Sequence, residues 1–408
     1  MSGDRVRDID MRILTVHNYY RIRGGEDESR DMEDRLLRER GHEVVEFLAD
    51  SRSIEGAGLQ VGIRAIWNTD AYRELRALIR STRPDLVSVQ NFFPLISPAA
   101  YLAAQAEAVP VVQIVRNYRL ICPNALLFRD GEPCEDCLRW PVPIPGIVHR
   151  CYRQSAWASS AVAAMLGVHR VMGTWSRAID VYVVLTDFAR RKLEEGGLPP
   201  HKMVVRPNFV YPDPGVRDGE GEYFVFVGRL APEKGLRTLM SAWEGVRGAQ
   251  LKVVGGGDPK EVEKARSWAK AAMGVELVGQ LSHEETLSAI KRAVAVVFPS
   301  EWYEGFPRVI VEAFACGVPV IPSRLGGMAE IVDDGRSGLL FNPGDPRDLL
   351  AKIEWAISNP AQLSELGREG RQEFEAKYTA DRFHENTQAI WAAALSRGGD
   401  RKSEYRAG

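Results

Sequence analysis

Residues 295–322 read AVVFPSEWYEGFPRVIVEAFACGVPVIP. Val294 to Phe298 is an apolar run of strand length, ended by Pro299-Ser300, residues that favour turns. Pro307 suits the first turn of a helix, where its missing N–H is no loss, and the residues to Cys316 can all be helical. Gly317 is placed to close that helix before a second apolar strand, Val318 to Ile321. The stretch is predicted as strand, loop, helix, strand, the unit of a parallel α/β sheet.

Two carboxylates stand out in it. Glu304 lies in the loop at the helix mouth, and Glu312 lies two turns deeper. A carboxylate on an otherwise apolar helix is costly to bury without hydrogen-bond donors, which a ribose diol or a pair of sugar hydroxyls would supply. The alternatives are a helix-dipole charge for Glu304 and a solvated helix face for Glu312.

Upstream, Tyr223 to Val227 is a strand followed by Gly228-Arg229-Leu230-Ala-Pro-Glu233-Lys234-Gly235. Arg229 and Lys234 could converge on a diphosphate, one as a bidentate fork and the other as a mobile point charge. Two surface cations beside Glu233 are the alternative. Leu251 to Val254 leads into Gly255-Gly-Gly257, a turn that a ligand could approach closely.

In the first half, Met11 to Val16, Glu43 to Leu48, Asp85 to Gln90 and Val109 to Val115 are strand candidates separated by helical segments. Gly24-Gly25 before a helix running to about Arg40 offers tight curvature and N–H groups for an anion, or is simply a turn. It lacks the Gly-x-Gly-x-x-Gly pattern of a dinucleotide site. Pro212 to Gly221 has the composition of a linker, Glu373 to Leu395 reads as one long helix, and Ser396 to Gly408 reads as a flexible tail.

Four of the five cysteines fall between Cys122 and Cys151, and Cys134-x-x-Cys137 has the spacing of half a metal knuckle. Structural zinc on Cys122, Cys134, Cys137 and Cys151 is one reading. Inert buried thiols and a redox pair are the others.

The spacing from Glu304 to Glu312, the Gly305-Phe306-Pro307 between them, and the Gly-Arg-Leu-x-x-x-Lys-Gly run at 228–235 together resemble family 4 of the retaining glycosyltransferases. That family has the GT-B fold, two Rossmann-like doubly wound domains facing a cleft. The resemblance implies an N-terminal acceptor domain over 11–210 with a cysteine-containing insertion at about 116–155. It implies a nucleotide-sugar domain over 222–375 and a helix over 376–395 crossing back to the first domain. It further implies transfer of a hexose from a nucleoside diphosphate sugar to a hydroxyl of a glycan, lipid-linked or small-molecule acceptor, in a setting such as polysaccharide biosynthesis. Arg229 and Lys234 would hold the diphosphate, Glu312 the ribose and Glu304 the donor sugar. The backbone at Gly305 and Phe306, with Gly24 and Gly25, would approach sugar and phosphate.

Where many relatives have a histidine after the fourth strand, this chain has Arg116, which cannot serve as a base at ordinary pH. Arg116 could instead hold an anionic acceptor or a phosphate, or be a solvated cation at the site's mouth. A same-face reaction in which the leaving phosphate takes the acceptor proton needs no protein base. With no Asp-x-Asp placed to bind a diphosphate metal, no catalytic cofactor is expected. An epimerase, a phosphorylase, a non-catalytic nucleotide-sugar binder and a zinc-stabilised interaction module remain as alternatives.

Composition bounds the rest. The chain has 408 residues, 45% of them hydrophobic, enough for two ordinary cores. Its formal charge of −2 gives no sign of a nucleic-acid partner. No apolar stretch reaches membrane-span length, and the N-terminus has no apolar core of a secretory signal. The expectation is a cytoplasmic protein touching a membrane only by its surface.

Overall fold

The computed structural model of the protein describes residues 10–22, 24–54 and 59–407. The first sheet contains β1 (Arg12–Tyr19), β2 (Glu43–Asp50), β3 (Leu86–Asn91) and β4 (Val111–Val115). After a small hairpin of β5 (Phe128–Arg129) and β6 (Glu132–Pro133), it is completed by β7 (Val181–Val184) and β8 (Met203–Val205). The second sheet contains β9 (Tyr223–Val227), β10 (Leu251–Val254), β11 (Val275–Gly279), β12 (Ala293–Phe298) and β13 (Val320–Pro322). All pairings in both large sheets are parallel. Strands β3, β4 and β7 are buried along their whole length, as sheets covered by helices on both faces require.

The strand orders locate the ligand crevices. The first sheet runs β2-β1-β3-β4-β7-β8 and the second β11-β10-β9-β12-β13. Order reverses beside β1 in the first and between β9 and β12 in the second, and at such points the connections leave on opposite faces and open a crevice beyond the strands' carboxyl ends. The loops after β4 and β12 meet: a Cβ on Gly305 would come 2.9 Å from the Arg116 carbonyl oxygen. The carboxyl ends of the two sheets therefore face one another.

Several local expectations change. The pattern from Glu373 to Leu395 divides into helices Pro360–Lys377 and Ala380–Ala407, because the chain turns at Tyr378, whose carbonyl accepts a hydrogen bond from Val210 N. Ser396 onward is helical to Ala407 and not a loose tail. Arg397 anchors it by donating to the carbonyls of Asp180 (2.9 Å) and His201 (2.8 Å). The final helix lies on the first sheet, where Ile390, Trp391 and Ala394 pack with Ile13, Val112 and Val183. Strand β8 and the helix Leu59–Ile66 carried too short a pattern to be read from sequence.

Candidate functional site

The loop after β9 is folded for contact with the loop after β12. Gly235 has φ +68°, and a Cβ there would lie 1.7 Å from the Pro299 carbonyl oxygen, so both its conformation and its bareness are required. Gly255 and Gly257 likewise let the β10 loop close on Gly228 and Leu230. The consequence is that Lys234 Nζ reaches 2.6 Å from Glu304 Oε1. Ser300 Oγ donates to the same carboxylate at 2.7 Å. Glu304 is 5% exposed, and the ammonium also lies over the Phe298 and Trp302 rings. Arg229, half exposed, pairs with Glu233 at 2.5 Å and faces open solvent beside this pair.

Glu312 is buried on the Arg308–Ala315 helix and receives Arg308 Nη2 at 2.9 Å, with His283 Nδ1 at 3.8 Å. It is not on a solvated face. Arg308 also donates to Glu28 of the first domain at 2.9 Å, and its Nε is buried without a partner. Nothing in the sequence marks Arg308, since a cation two residues past Gly-Phe reads as helix surface.

Gly24 caps the Gly25–Glu39 helix with an extended backbone, φ −146°, so the expected tight curvature is absent. What these glycines provide is room: a Cβ on Gly24 would meet nothing within 4 Å, and one on Gly25 only the Arg308 side chain. The Gly24 N–H donates to Asp27, which is buried against His17 Nε2 at 2.8 Å. Beside them Tyr20 Oη and Asn117 Nδ2 both donate to Glu26.

Arg116 is 8% exposed, which excludes the solvated cation. Its guanidinium donates to Glu33 (2.9 Å), Gln90 (3.0 Å) and Asn208 (2.7 Å). Arg206 approaches the same Glu33 at 3.3 Å and stacks on Phe383 of the final helix. Burial by itself raises the Glu33 carboxyl, but Arg206 and Arg116 outweigh it and hold the group below its ordinary value. The Arg116 backbone meets the second domain at Gly305.

The cysteine segment links the cleft to the outside. Its Glu135 accepts from Tyr303 Oη at 2.9 Å, next to Glu304, and pairs with Lys192 at 2.9 Å. All five cysteines are free thiols. Burial and the neighbouring Cys122, Cys151 and Cys134 push Cys137 up to about 12. Among the described residues no group of three or more His, Cys, Asp or Glu side chains is arranged to hold a metal ion, so the zinc reading gains no support here. Among the described residues no helix is long and apolar enough to cross a membrane.

Two domains are also joined at Glu330, whose carboxylate accepts the backbone N–H groups of Asp187 (2.8 Å) and Phe188 (2.7 Å) at the start of a first-domain helix. Thr186 Oγ1 donates to the Gly305 carbonyl beside it.

Comparison with known proteins gives a consistent picture. Residues 7–208 match a family model described as a glycosyl transferase 4-like domain, and residues 211–373 match one described as glycosyl transferases group 1. An uncharacterised glycosyltransferase of Methanocaldococcus jannaschii is 32% identical over 202 residues, 49% of this chain and 56% of that protein. A glycogen synthase of Mycobacterium tuberculosis is 31% identical over 47% of this chain and 46% of its own length. The chain thus spans about half the length of the curated relatives it matches. Among solved structures, HepE of Anabaena in complex with UDP-glucose superposes with a TM-score of 0.66 at 16% identity, covering 95% of this chain and 99% of that one. Sucrose-phosphate synthase from Thermosynechococcus elongatus gives 0.67 at 19% identity, covering 98% and 100%. These likenesses establish the GT-B architecture.

Proposed function

We propose that this chain, whose two halves match a glycosyl transferase 4-like domain and the group 1 glycosyl transferases, moves a hexose from a nucleoside diphosphate sugar to an acceptor hydroxyl with retention of configuration. The observation that carries this reading is the buried Lys234–Glu304 pair at the crevice between β9 and β12, with Arg229 open beside it. A diphosphate entering there meets two cations, and the sugar attached to it meets a carboxylate.

The bond from the anomeric carbon to the diphosphate oxygen breaks, the acceptor oxygen bonds to that carbon on the same face, and the acceptor proton passes to the departing phosphate oxygen. Negative charge grows on the diphosphate as it leaves, so Arg229 and Lys234 stabilise the transition state more than the ground state. Glu304 orients the sugar hydroxyls and Glu312 accepts the ribose diol. They do not form a glycosidase pair, which would have to flank one scissile bond. Gly24, Gly25, Gly305 and Phe306 border the space in which sugar and phosphates would lie. Arg116 acts as a positioning residue, fixing the end of β4 through Glu33 and Asn208.

The acceptor class is a glycan, a lipid-linked sugar or a small molecule, with any membrane contact made through the protein's surface. The UDP-glucose of the Anabaena structure makes a uridine donor the first to try. The test is saturable binding of UDP-, GDP-, ADP- and dTDP-sugars together with release of nucleoside diphosphate, in wild type, Arg229→Ala and Glu312→Ala. One donor bound, weakened by both substitutions and slowly cleaved is the expected result. Binding without release under any acceptor would favour a silent nucleotide-sugar binder, and no binding at all would sink the assignment.

A further inference from the structure

Among the described residues, the first domain carries an exposed apolar face with no counterpart elsewhere. Among the described residues, seven of the fifteen exposed large hydrophobic side chains fall within residues 140–172. The helix Ala156–Val171 has no charged side chain before His169 and Arg170. Its inner side, including Val162, Met165 and Leu166, fills the core of the domain. Trp157, Ala161, Ala164, Val168 and Val171 recur at spacings of three and four, which puts them along one other face, where Ala161 is covered and Trp157, Val168 and Val171 are exposed. Val171 is 88% exposed, and Trp157 and Val168 are about half exposed. A surface helix of a water-soluble domain ordinarily has its outer face polar, so an outer stripe of this kind marks a contact.

Two further segments widen the stripe. The helix Leu59–Ile66 lies against it, since a Cβ on Gly62 would be 3.2 Å from Ala161 Cβ and 3.8 Å from the Trp157 ring, and its Ile63 is exposed. On the other flank Val142 packs on Gly167, and Arg170 donates to the Trp140 carbonyl at 3.1 Å. That flank exposes Trp140 and Val148, the latter 69%.

The charge around this face has one sign. From Leu138 to Ile179 the sequence contains five arginines and no Asp or Glu, in a chain whose net charge is −2. Arg64, Arg139, Arg150 and Arg153 are exposed, and none of them pairs with a carboxylate among the described residues. Elsewhere on the molecule arginines are routinely matched by acids, as in Arg35–Glu39 or Arg292–Glu222. A second copy of the chain is a poor occupant: a two-fold contact would set this patch against itself and bring its arginines together. Apolar and aromatic side chains ringed by unmatched arginines suit an anionic lipid surface, where rings and aliphatic groups enter the headgroup boundary and guanidiniums meet phosphates.

We propose that the face formed by Leu59–Ile66, Arg139–Val148 and Ala156–Val171 docks the protein on an anionic lipid bilayer. Two of its three segments continue the stretch that begins at Arg116 and Asn117 after β4, where Asn117 donates to Glu26 and Glu135 accepts from Tyr303. That stretch therefore joins the bilayer contact to the place where an acceptor would sit, and the acceptor is borne on a lipid. That last step rests on the glycosyl-transfer reading, whereas the docking itself does not.

Flotation with vesicles tests it in the absence of any donor. Wild type is expected to float with vesicles containing phosphatidylglycerol, to stay behind with pure phosphatidylcholine, and to release as salt is raised. Arg150→Glu with Arg153→Glu, and separately Trp157→Ser with Val171→Ser, should each cut partitioning about tenfold or more while leaving nucleotide-sugar affinity unchanged. No flotation with the anionic vesicles, or flotation that the variants do not reduce, would overturn the docking surface and leave the donor assignment standing. Light scattering that shows a wild-type dimer turned into a monomer by the variants would assign the face to a second copy and equally overturn it. Flotation as expected with no nucleotide-sugar binding would uphold the surface and remove the transfer reading alone.

Discussion

Lys234 Nζ lies 2.6 Å from Glu304 Oε1, joining the loop after β9 to the loop after β12 across the point where the second sheet reverses its strand order. Both groups are largely withdrawn from water, with side-chain exposures of 16% and 7%. A buried pair of this kind is weak support for stability by itself, because desolvation offsets much of the attraction, yet removing one partner strands the other charge. On the proposed reading the pair would exchange partners: an arriving diphosphate would draw on the ammonium, and sugar hydroxyls would take up the carboxylate.

Lys234→Ala is accordingly expected to lower the transfer or hydrolysis rate by about 10²–10³-fold, the effect of losing one fixed donor at a developing negative charge. It should also lower the melting temperature, since Glu304 is left buried with Ser300 alone. Adding Glu304→Gln should recover much of the melting temperature and none of the rate. Calorimetry and nucleotide release measured on the same three proteins separate the two effects, and an unchanged rate in Lys234→Ala would refute the role.

The Glu33 network sets an acid limit on the first domain. Its folded carboxyl is held low by Arg206 and Arg116 against the opposing effect of burial. A depressed folded value means that the contribution is present above the unfolded value near 4.5 and is lost as the pH falls through the folded one. Glu33→Gln should cost about 3–5 kcal/mol at neutral pH by leaving two guanidiniums buried. It should also flatten the dependence of stability on pH below the ordinary carboxylate range. Denaturant melts across that range check both, and parallel curves for the two proteins would contradict the network's role.

Gly235→Ala tests whether the loop after β9 is as tightly specified as its geometry implies. The substitution requires φ +68° of an alanine and drives its Cβ into the Pro299 carbonyl. Relief must come from moving the loop, which separates Lys234 from Glu304. Donor affinity should fall at least as far as in Lys234→Ala, whereas Gly248→Ala, also at positive φ but with open space around it, should leave donor affinity intact. Equal affinities for both variants would show that the close approach is not needed.

What could be read from sequence depended on how local each feature was. The strands of the second domain, Tyr223–Val227 and Leu251–Val254, show their limits plainly because apolar runs end at glycine turns. Lys234 and Glu304 each drew notice through a neighbouring motif, but nothing in the sequence stated that they would pair, 70 residues apart. Arg308 lies inside the most telling stretch but carries no sign of its role there, because its partner Glu28 is 280 residues away. Arg116 reads as a departure at the site's mouth. Its burial depends on Glu33, Gln90 and Asn208 from three other segments. The polar run from Ser396 resembles a tail until Arg397 is seen bonded to two carbonyls of the first domain.

Glu312 and Arg308 make opposite predictions although they touch. If the ribose diol donates to Glu312, then Glu312→Ala should weaken nucleotide binding about tenfold or more, a charge-assisted hydrogen bond being worth about 1.5–3 kcal/mol. Arg308→Ala leaves that carboxylate in place and without its 2.9 Å partner, so stability should fall while free nucleoside diphosphate still binds. Isothermal titration of both variants decides it, and the reverse pattern would give the ribose to another group.

Glu330 offers the last test, because it belongs to one domain and serves the other. Its carboxylate accepts two backbone N–H groups of the Asp187–Glu195 helix, where Thr186 also caps Ala189, so Glu330→Ala should cost only about 1 kcal/mol of stability. Its influence on function should be larger than that cost. The groups proposed to hold the donor, Arg229, Lys234, Glu304 and Glu312, all lie in the second domain, and on that proposal the acceptor is held by the first. Loosening the link beside Thr186 and Gly305 should therefore reduce transfer while leaving the donor dissociation constant within about twofold, a change of well under 1 kcal/mol. A rise in donor dissociation constant proportional to the loss of rate would mean that Glu330 shapes the donor site itself, and the division of labour between the domains would have to be redrawn.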